Sequence, residues 1–340
     1  MNTLIPAQNL TNQNTIPNYF DGPYNSKFEV NKGDILIAWS GSLGIYVWQK
    51  NKALLNQHIF RVEFNKCEID KMYFYYAVKH NIHKMLHLTH GATMRHIIKS
   101  DFEQIIIPYP SLDVQAKISK ILNYLEQNII YYRTILSKLE LLIKSRFVEM
   151  FGELNHNPLY PIVSFKNLII GSPMNGFFAS KELYDNNGKV NLVGVKEIVG
   201  QLYTKISDTP KLDVDISILE KYLIKYGDML FCRSSLVQSG IAKASVVPKL
   251  NNKLCIFECH LIKVKLDQKL CIPEFMQVQS EQNYFRNQVI KNSKTSTMTT
   301  ISQQGIVDTK VLLPPIDIQL EFTTFLSQIN KLKFAQIVYN

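Results

Sequence analysis

The pattern of apolar and polar positions is dominated by one stretch. From Asp113 to Met150 apolar residues recur at a 4-3-4-3 spacing that puts Ile118, Leu122, Leu125, Ile129, Tyr132, Leu136, Leu139 and Ile143 on one seam, with Lys120, Glu126, Arg133, Lys138 and Glu140 off it. Nearly four heptads without Gly or Pro predict a coiled-coil helix. Pro108 and Pro110 bound it on one side, since proline biases the preceding residue towards extended geometry, and Gly152 bounds it on the other. At 1.5 Å per residue the helix is roughly 55 Å long, a spacer or docking rod as well as core.

The pattern on either side of the rod is repeated. Thr93, Met94, Ile97, Phe102, Pro110, Asp113 and Gln115 recur as Thr297, Met298, Ile301, Ile306, Pro314, Asp317 and Gln319, at a constant offset of 204 residues. Upstream, the run from Lys32-Gly33-Asp34 to Trp39-Ser40 recurs from Tyr226-Gly227-Asp228 to Arg233-Ser234, and Gln57-His58-Ile59 recurs as Cys259-His260-Leu261. Ile5 to Leu10 aligns loosely with Val193 to Ile198. Offsets there shift by about ten residues, as loop insertions make them.

Each copy reads in the same order. A strand (Asp34 to Ala38; Asp228 to Cys232) leads to a Ser/Gly loop (Ser40 to Gly44; Ser234 to Gly240) and then a strand ending in Arg61 to Phe64 or Lys263 to Lys265. A helix follows (Ile69 to Leu88; Pro273 to Ile290), then a polar loop (Thr89 to Thr93; Ser293 to Thr297) and a last strand such as Gln104 to Ile107. This mixture predicts an α+β chain: a first domain over 1–110, the spacer helix over 111–152, a second domain over 153–313 and a shorter second helix over 314–340. Some thirty residues, Pro161 to Asn187, have no match in the first copy, so the first domain is expected to be incomplete at its start. Ile318, Phe322, Phe325, Ile329 and Leu332 continue an apolar stripe that stops at Asn340, well short of the first helix's length. Gly33, Gly44, Gly227 and Gly240 read as turn positions.

Charge and chemistry narrow the function. The 340 residues are 46% apolar and 19% charged, ordinary globular composition with length for two domains. Thirty-eight Lys and Arg against 28 Asp and Glu give a net charge of +10, a positive potential suited to phosphate backbones or anionic membrane surfaces. No apolar run is long enough for a bilayer, and the first twenty residues lack a signal-peptide pattern, so a cytoplasmic protein is expected. Cys255 and Cys259 lie in a strand-like run, Leu254 to Val264, where residues four apart are ~13 Å apart and cannot share a metal; they read as buried reduced thiols. His80, His83, His87 and His90 follow helical spacing, but the second copy carries Gln277, Ser280, Tyr284 and Asn287 there, which favours a polar face over a zinc site. Tyr73, Tyr75 and Tyr76 read as core or interface aromatics. There is no phosphate-binding Gly-x-x-x-x-Gly-Lys-Ser/Thr loop, no nuclease carboxylate set, and only Leu313-Pro-Pro-Ile316 and Asn157-Pro-Leu159 near the amine-holding motif of a methyltransferase. The chain therefore reads as non-catalytic, with no cofactor and no metal.

Gly-Asp before an apolar strand and Ser-Gly turn, then Gly91 to Phe102, then Ile107-Pro-Tyr-Pro-Ser-Leu-Asp-Val-Gln115, then a heptad helix ending Phe147-Val-Glu-Met-Phe-Gly152, resembles the specificity subunit of type I restriction–modification systems over nearly the whole chain. The resemblance implies two target-recognition domains, each reading half of a bipartite DNA site. Between them two helices pack antiparallel and dock methyltransferase subunits and, through these, the restriction and translocase subunits. It implies helix packing by the eight seam residues and by Phe322, Leu326 and Ile329, and leaves room for self-association that completes the second helix. A rod of roughly 50 Å places the two contacts one to one and a half turns apart on a duplex of ~3.4 Å per base pair. The DNA-contacting residues expected on the loops are Ser40, Ser42, Arg95, His96 and Lys99 in the first copy and Arg233, Ser234, Ser235, Lys294, Thr295 and Thr297 in the second. Singly, each is equally well a solvated residue or turn former; their clustering selects them. A donor cassette for recombination, or a single-chain methyltransferase or nuclease with an unrecognised site, are the alternatives.

Overall fold

The computed structural model describes residues 2–5, 10, 18–39, 43–85 and 104–338. It divides into two compact units, Met1–Thr134 and Ile135–Asn340, and the division falls inside one continuous helix, Leu112–Phe151, of 40 residues. No helix of the described residues is long and apolar enough to cross a membrane.

The two units have the same strand pairing. In the first, Ile35–Ala38 lies between Gly44–Val47 and Ile59–Arg61, antiparallel to both, while Asn2–Ile5 runs parallel to Ala53–Leu55. In the second, Met229–Cys232 lies between Ala244–Val246 and Leu261–Val264, antiparallel to both, and Val190–Val193 runs parallel to Leu254–Phe257. Both central strands are apolar at every position because both faces are covered: Leu36 and Ala38 join one core cluster and Ile35 and Ile37 another. Likewise Leu230 and Cys232 face one cluster and Met229 and Phe231 the other. Residues alternate across a strand, so a doubly covered strand cannot show polar alternation.

The Gly-Asp repeat is one turn built twice. Gly33 (φ 90°) donates its N–H to Trp48 O at 2.8 Å, and Gly227 (φ 84°) donates to Val247 O at 3.0 Å. Glycine tolerates that left-handed backbone without strain. The following carboxylates accept from the backbone at the same place, Asp34 from Asn31 N and Asp228 from Lys225 N, both at 2.8 Å. Burial raises the Asp228 pKa.

The second repeat, Pro-x-x-x-x-Gln, fastens a helix to each unit. Gln115 is fully buried; its Oε1 accepts from Asp70 N at 2.9 Å and its Nε2 donates to Pro110 O at 2.8 Å. Gln319, also fully buried, accepts from Ile272 N at 2.9 Å and donates to Leu270 O at 2.9 Å and Pro314 O at 2.8 Å. Asp70 and Ile272 each stand just before the domain helix, Lys71–Met85 or Pro273–Ser280. One side-chain amide thus satisfies backbone groups at the starts of two helices. In the second unit Phe147 and Phe151 of the long helix meet Phe275 and Phe322, with Phe147 to Phe322 at 5.6 Å and Phe151 to Phe275 at 5.1 Å between ring centres. The C-terminal helix Ile316–Val338 runs antiparallel to that end of the long helix: Arg146 pairs with Glu321 at 3.0 Å and Glu140 with Lys333 at 3.7 Å. These exposed pairs set direction more than stability.

Several expected elements differ. The helix from Pro273 is two helices, Pro273–Ser280 and Asn283–Lys291. At the break Ser280 Oγ donates to Gln277 O, and the buried Gln279 amide both donates to and accepts from the Leu312 backbone. Leu254 to Val264 is two strands in different sheets; the turn between them carries Cys259, which is half-buried while Cys255 is buried. Gln104 to Ile107 pairs with no strand among the described residues. Its counterpart Lys310–Leu312 pairs with Ile162–Ser164, which has no sequence match in the first copy. On the seam, Ile118, Leu122, Tyr132, Leu136 and Leu139 are half-buried and Ile143 is buried, but Leu125 and Ile129 are 50% and 51% exposed. Glu126, expected off the seam, is half-buried and accepts from Tyr76 Oη at 3.0 Å and from Lys79. A straight helix drifts about 20° per heptad from a 3.5-residue repeat, which moves the buried stripe off the a/d positions.

Replacing Gln319 with Leu leaves the Ile272 N–H and the Leu270 carbonyl without their partner, and is expected to lower the unfolding free energy of the second unit by about 2–4 kcal/mol. Urea denaturation followed by far-ultraviolet circular dichroism reads this. An unchanged midpoint would show that the amide is incidental.

Candidate nucleic-acid interface

The second-copy residues expected to meet DNA come together on one small sheet. Ser234–Ser235 pairs antiparallel with Thr299–Thr300, which pairs in turn with Lys294–Thr295. Thr295 and Thr299 hydroxyls are 3.0 Å apart, Lys294 and Thr295 are exposed, and Thr297 is exposed at the tip of the hairpin. The polar loop expected from Ser293 to Thr297 is therefore an ordered hairpin. Three two-residue strands built almost wholly of serine and threonine carry hydroxyls, donors and acceptors at once, with one ammonium group from Lys294.

Arg233 leads into this sheet and is partly structural. Its N–H donates to His260 O at 2.7 Å, its carbonyl accepts from Ile301 N at 3.0 Å, and Nη1 donates to Cys259 O at 3.2 Å. It also lines an open cleft of about 610 Å³ together with Lys166, Asn175, Ser302 and Gln303. Nothing in the spacing of Lys166 or Asn175 marked them, since they come from the segment without a counterpart in the first copy.

The loop after Ser235 is held from beneath by a residue that the sequence did not single out. Arg286 is buried, and its Nη2 donates to Ser239 O at 3.1 Å and to Ile241 O. Burial lowers its pKa, and the helix that carries it also leads into the hairpin. Ser235 Oγ accepts from Val237 N at 3.2 Å, and a Cβ on Gly240 would come within 2.3 Å of that oxygen, so a larger residue there would turn the Ser235 hydroxyl away from the loop. Lys243 and Glu281 pair across the same region. Cys232, next to Arg233, is an inert thiol pushed up to about 11 by burial, with its Sγ donating to Ser234 O at 3.2 Å.

In the first unit Ser40, Ser42, Arg95, His96 and Lys99 lie outside the described residues. The base of the corresponding loop is present. Trp39 N donates to His58 O at 3.3 Å, the counterpart of Arg233 N to His260 O, and the Trp39 ring meets His58 at 5.2 Å and Phe60 at 6.0 Å. Among the described residues no group of His, Cys, Asp and Glu is placed to hold a metal; His80 is exposed, and His87 and His90 lie outside the described residues. Tyr73 and Tyr75 are buried, and Tyr73 Oη donates to Pro108 O at 2.8 Å.

Arg286→Met keeps the side-chain bulk but removes both loop bonds, and is expected to raise amide hydrogen exchange at Val237 and Gly240 while Leu230 and Phe231 stay protected. Equal loss of protection in the strand would make Arg286 a general core residue instead.

Comparison with known proteins gives consistent relatives. Residues 6–141 match the type I restriction modification DNA specificity domain. The type I restriction enzyme MjaVIII specificity subunit of Methanocaldococcus jannaschii is 25% identical over 336 residues, covering 91% of this chain and 75% of its own. The MjaIX specificity subunit of the same organism is 23% identical over 335 residues, covering 91% and 72%. The crystal structure of the type I restriction–modification system S subunit from M. genitalium shares the fold with a TM-score of 0.56 at 14% identity, covering 92% of this chain and 82% of its own.

Proposed function

We propose that this chain, which belongs to the specificity subunits of type I restriction–modification systems, binds a bipartite DNA site in the cytoplasm and recruits methyltransferase and restriction subunits to it. Specificity subunits are the non-catalytic, DNA-recognising members of these systems. The observation that carries the reading is the duplication itself. The same strand pairing, Gly-Asp turn and buried glutamine occur in both units, each at the end of a helix that also supplies exposed apolar residues. Two like readers suit a site with two halves.

In this reading Ser234, Ser235, Thr295 and Thr297 face base edges or phosphates of one half-site, Lys294 neutralises a phosphate, and Arg233 and Lys166 line the adjoining cleft. Ser40, Ser42, Arg95, His96 and Lys99 do the same for the other half. Hydroxyls and amides can donate or accept towards bases, whereas a lysine acts as a point charge. Ile121, Tyr124, Leu125, Ile129 and Tyr131, all at least half exposed and on one side of the helix, offer a face for partner subunits. Exposed aromatics and aliphatics in a continuous helix are the usual composition of such a contact.

Co-expression with a methyltransferase subunit, followed by mapping of methylated bases, is expected to give a split sequence with a fixed gap. No methylation with any partner, or methylation at a single undivided motif, would contradict the reading. Lys294→Ala is expected to weaken binding of specific and unrelated duplexes alike and to reduce the salt dependence by about one counterion; an unchanged slope removes Lys294 from the phosphate contacts. Inserting four residues beside Tyr132 is expected to alter the gap or abolish binding while leaving the bases of each half unchanged. Full affinity at the old gap would mean that the helix does not set the spacing.

A further inference from the structure

Next to the hydroxyl sheet stand two apolar side chains that the serine and threonine chemistry does not account for. Leu236 is 83% exposed and Val237 is 61% exposed, one after the other at the start of the loop that leaves Ser235. Single exposed apolar residues are ordinary on any surface. This pair is different because of what carries it. Val237 N donates to Ser235 Oγ at 3.2 Å, Gly240 N donates back to Val237 O at 3.0 Å, and the buried Arg286 guanidinium takes the carbonyls of Ser239 and Ile241. The backbone under the two side chains is thus fixed at four points, and the loop holds them in water rather than folding them into the nearby core.

We infer that Leu236 and Val237 are an apolar reading element that packs against the bases, not the phosphates, of the half-site bound by the second unit. This rests on the function proposed above and extends it from polar to apolar readout. A protein partner would require an apolar surround. Here the neighbouring surface positions on the strands are Ser234, Ser235 and Thr300, with Lys294 and Thr295 on the outer strand, in a chain of net charge +10. That mixture complements a duplex, whose charged backbone flanks apolar groups in the grooves. Those groups are of two kinds, the C5-methyl of thymine in the major groove and the faces of bases at an opened step. Both take aliphatic side chains, and phosphates take neither.

The test uses the full chain with its methyltransferase partner, on a duplex carrying the site mapped by methylation. Leu236→Ser with Val237→Ser is expected to lower affinity for that duplex on the order of tenfold or more. Affinity for an unrelated duplex and the slope of affinity against salt should both stay unchanged, because no charge is lost. In the wild-type complex, either replacing the half-site thymines by uracil weakens binding, or 2-aminopurine at a half-site step brightens on binding; the double variant shows neither response. Because both side chains are exposed, its melting temperature should match the wild type, and Leu236→Ala provides the milder version. Wild-type affinity in the double variant, equal loss on both duplexes, loss of the methyltransferase partner, or specific loss with neither base response overturns the inference. If no split site can be mapped at all, the function proposed above fails first, and the two failures are distinguishable.

Discussion

Each unit is tied to its helix by one fully buried glutamine amide. Gln115 and Gln319 each face a backbone N–H at the start of a domain helix and a carbonyl of the prolyl segment that enters the next helix. A backbone group buried without a partner costs about 1–3 kcal/mol, so these joints are strict in chemistry and in geometry. A glutamate would lose the donor, and an asparagine would fall a methylene short. The sheet that carries the loops is therefore fixed to the element that continues into the helix, and the position of Ser234 or Lys294 relative to the helix start follows from that joint rather than from the loop itself.

Above the joint, the second unit separates rigidity from recognition. Phe147, Phe151, Phe275 and Phe322 form the apolar floor where two helices meet the domain. The doubly covered strand Met229–Cys232 carries that rigidity to its far end, where Arg233 begins the hydroxyl sheet. Beyond it the chain uses Ser, Thr and Gly in strands two residues long, held by Arg286 from below. Loops of that kind can change their side chains without disturbing the core, which is how one scaffold can serve many sequences.

Much of this was legible because the repeat exposed it. The Gly-Asp turn, the central strands, the prolyl-glutamine motif and the long helix each appear twice or carry a sustained period, and local chemistry decides them. What escaped was decided by distant contacts. The helix from Pro273 breaks because Gln279 is drawn to the Leu312 backbone 33 residues away. The strand from Leu254 divides because its halves belong to different sheets. Leu125 and Ile129 occupy seam positions by count, yet they are exposed, while Glu126 docks on Tyr76 and Lys79. At the site, Ser234, Ser235, Lys294 and Thr295 were selected by clustering and do meet on one sheet, whereas Arg286 had no signal. A helical arginine reads as solvated until its carbonyl partners, some 45 residues upstream, are in place.

The central claim is that duplicated readers make separate contacts on one duplex. Hydroxyl-radical footprinting of the assembled complex on its methylated site tests this most directly. The account predicts two protected patches with an accessible gap between them, and a Ser234→Ala, Ser235→Ala variant that opens one patch while leaving the other intact. A single continuous footprint, or a variant that weakens both patches together, would contradict it.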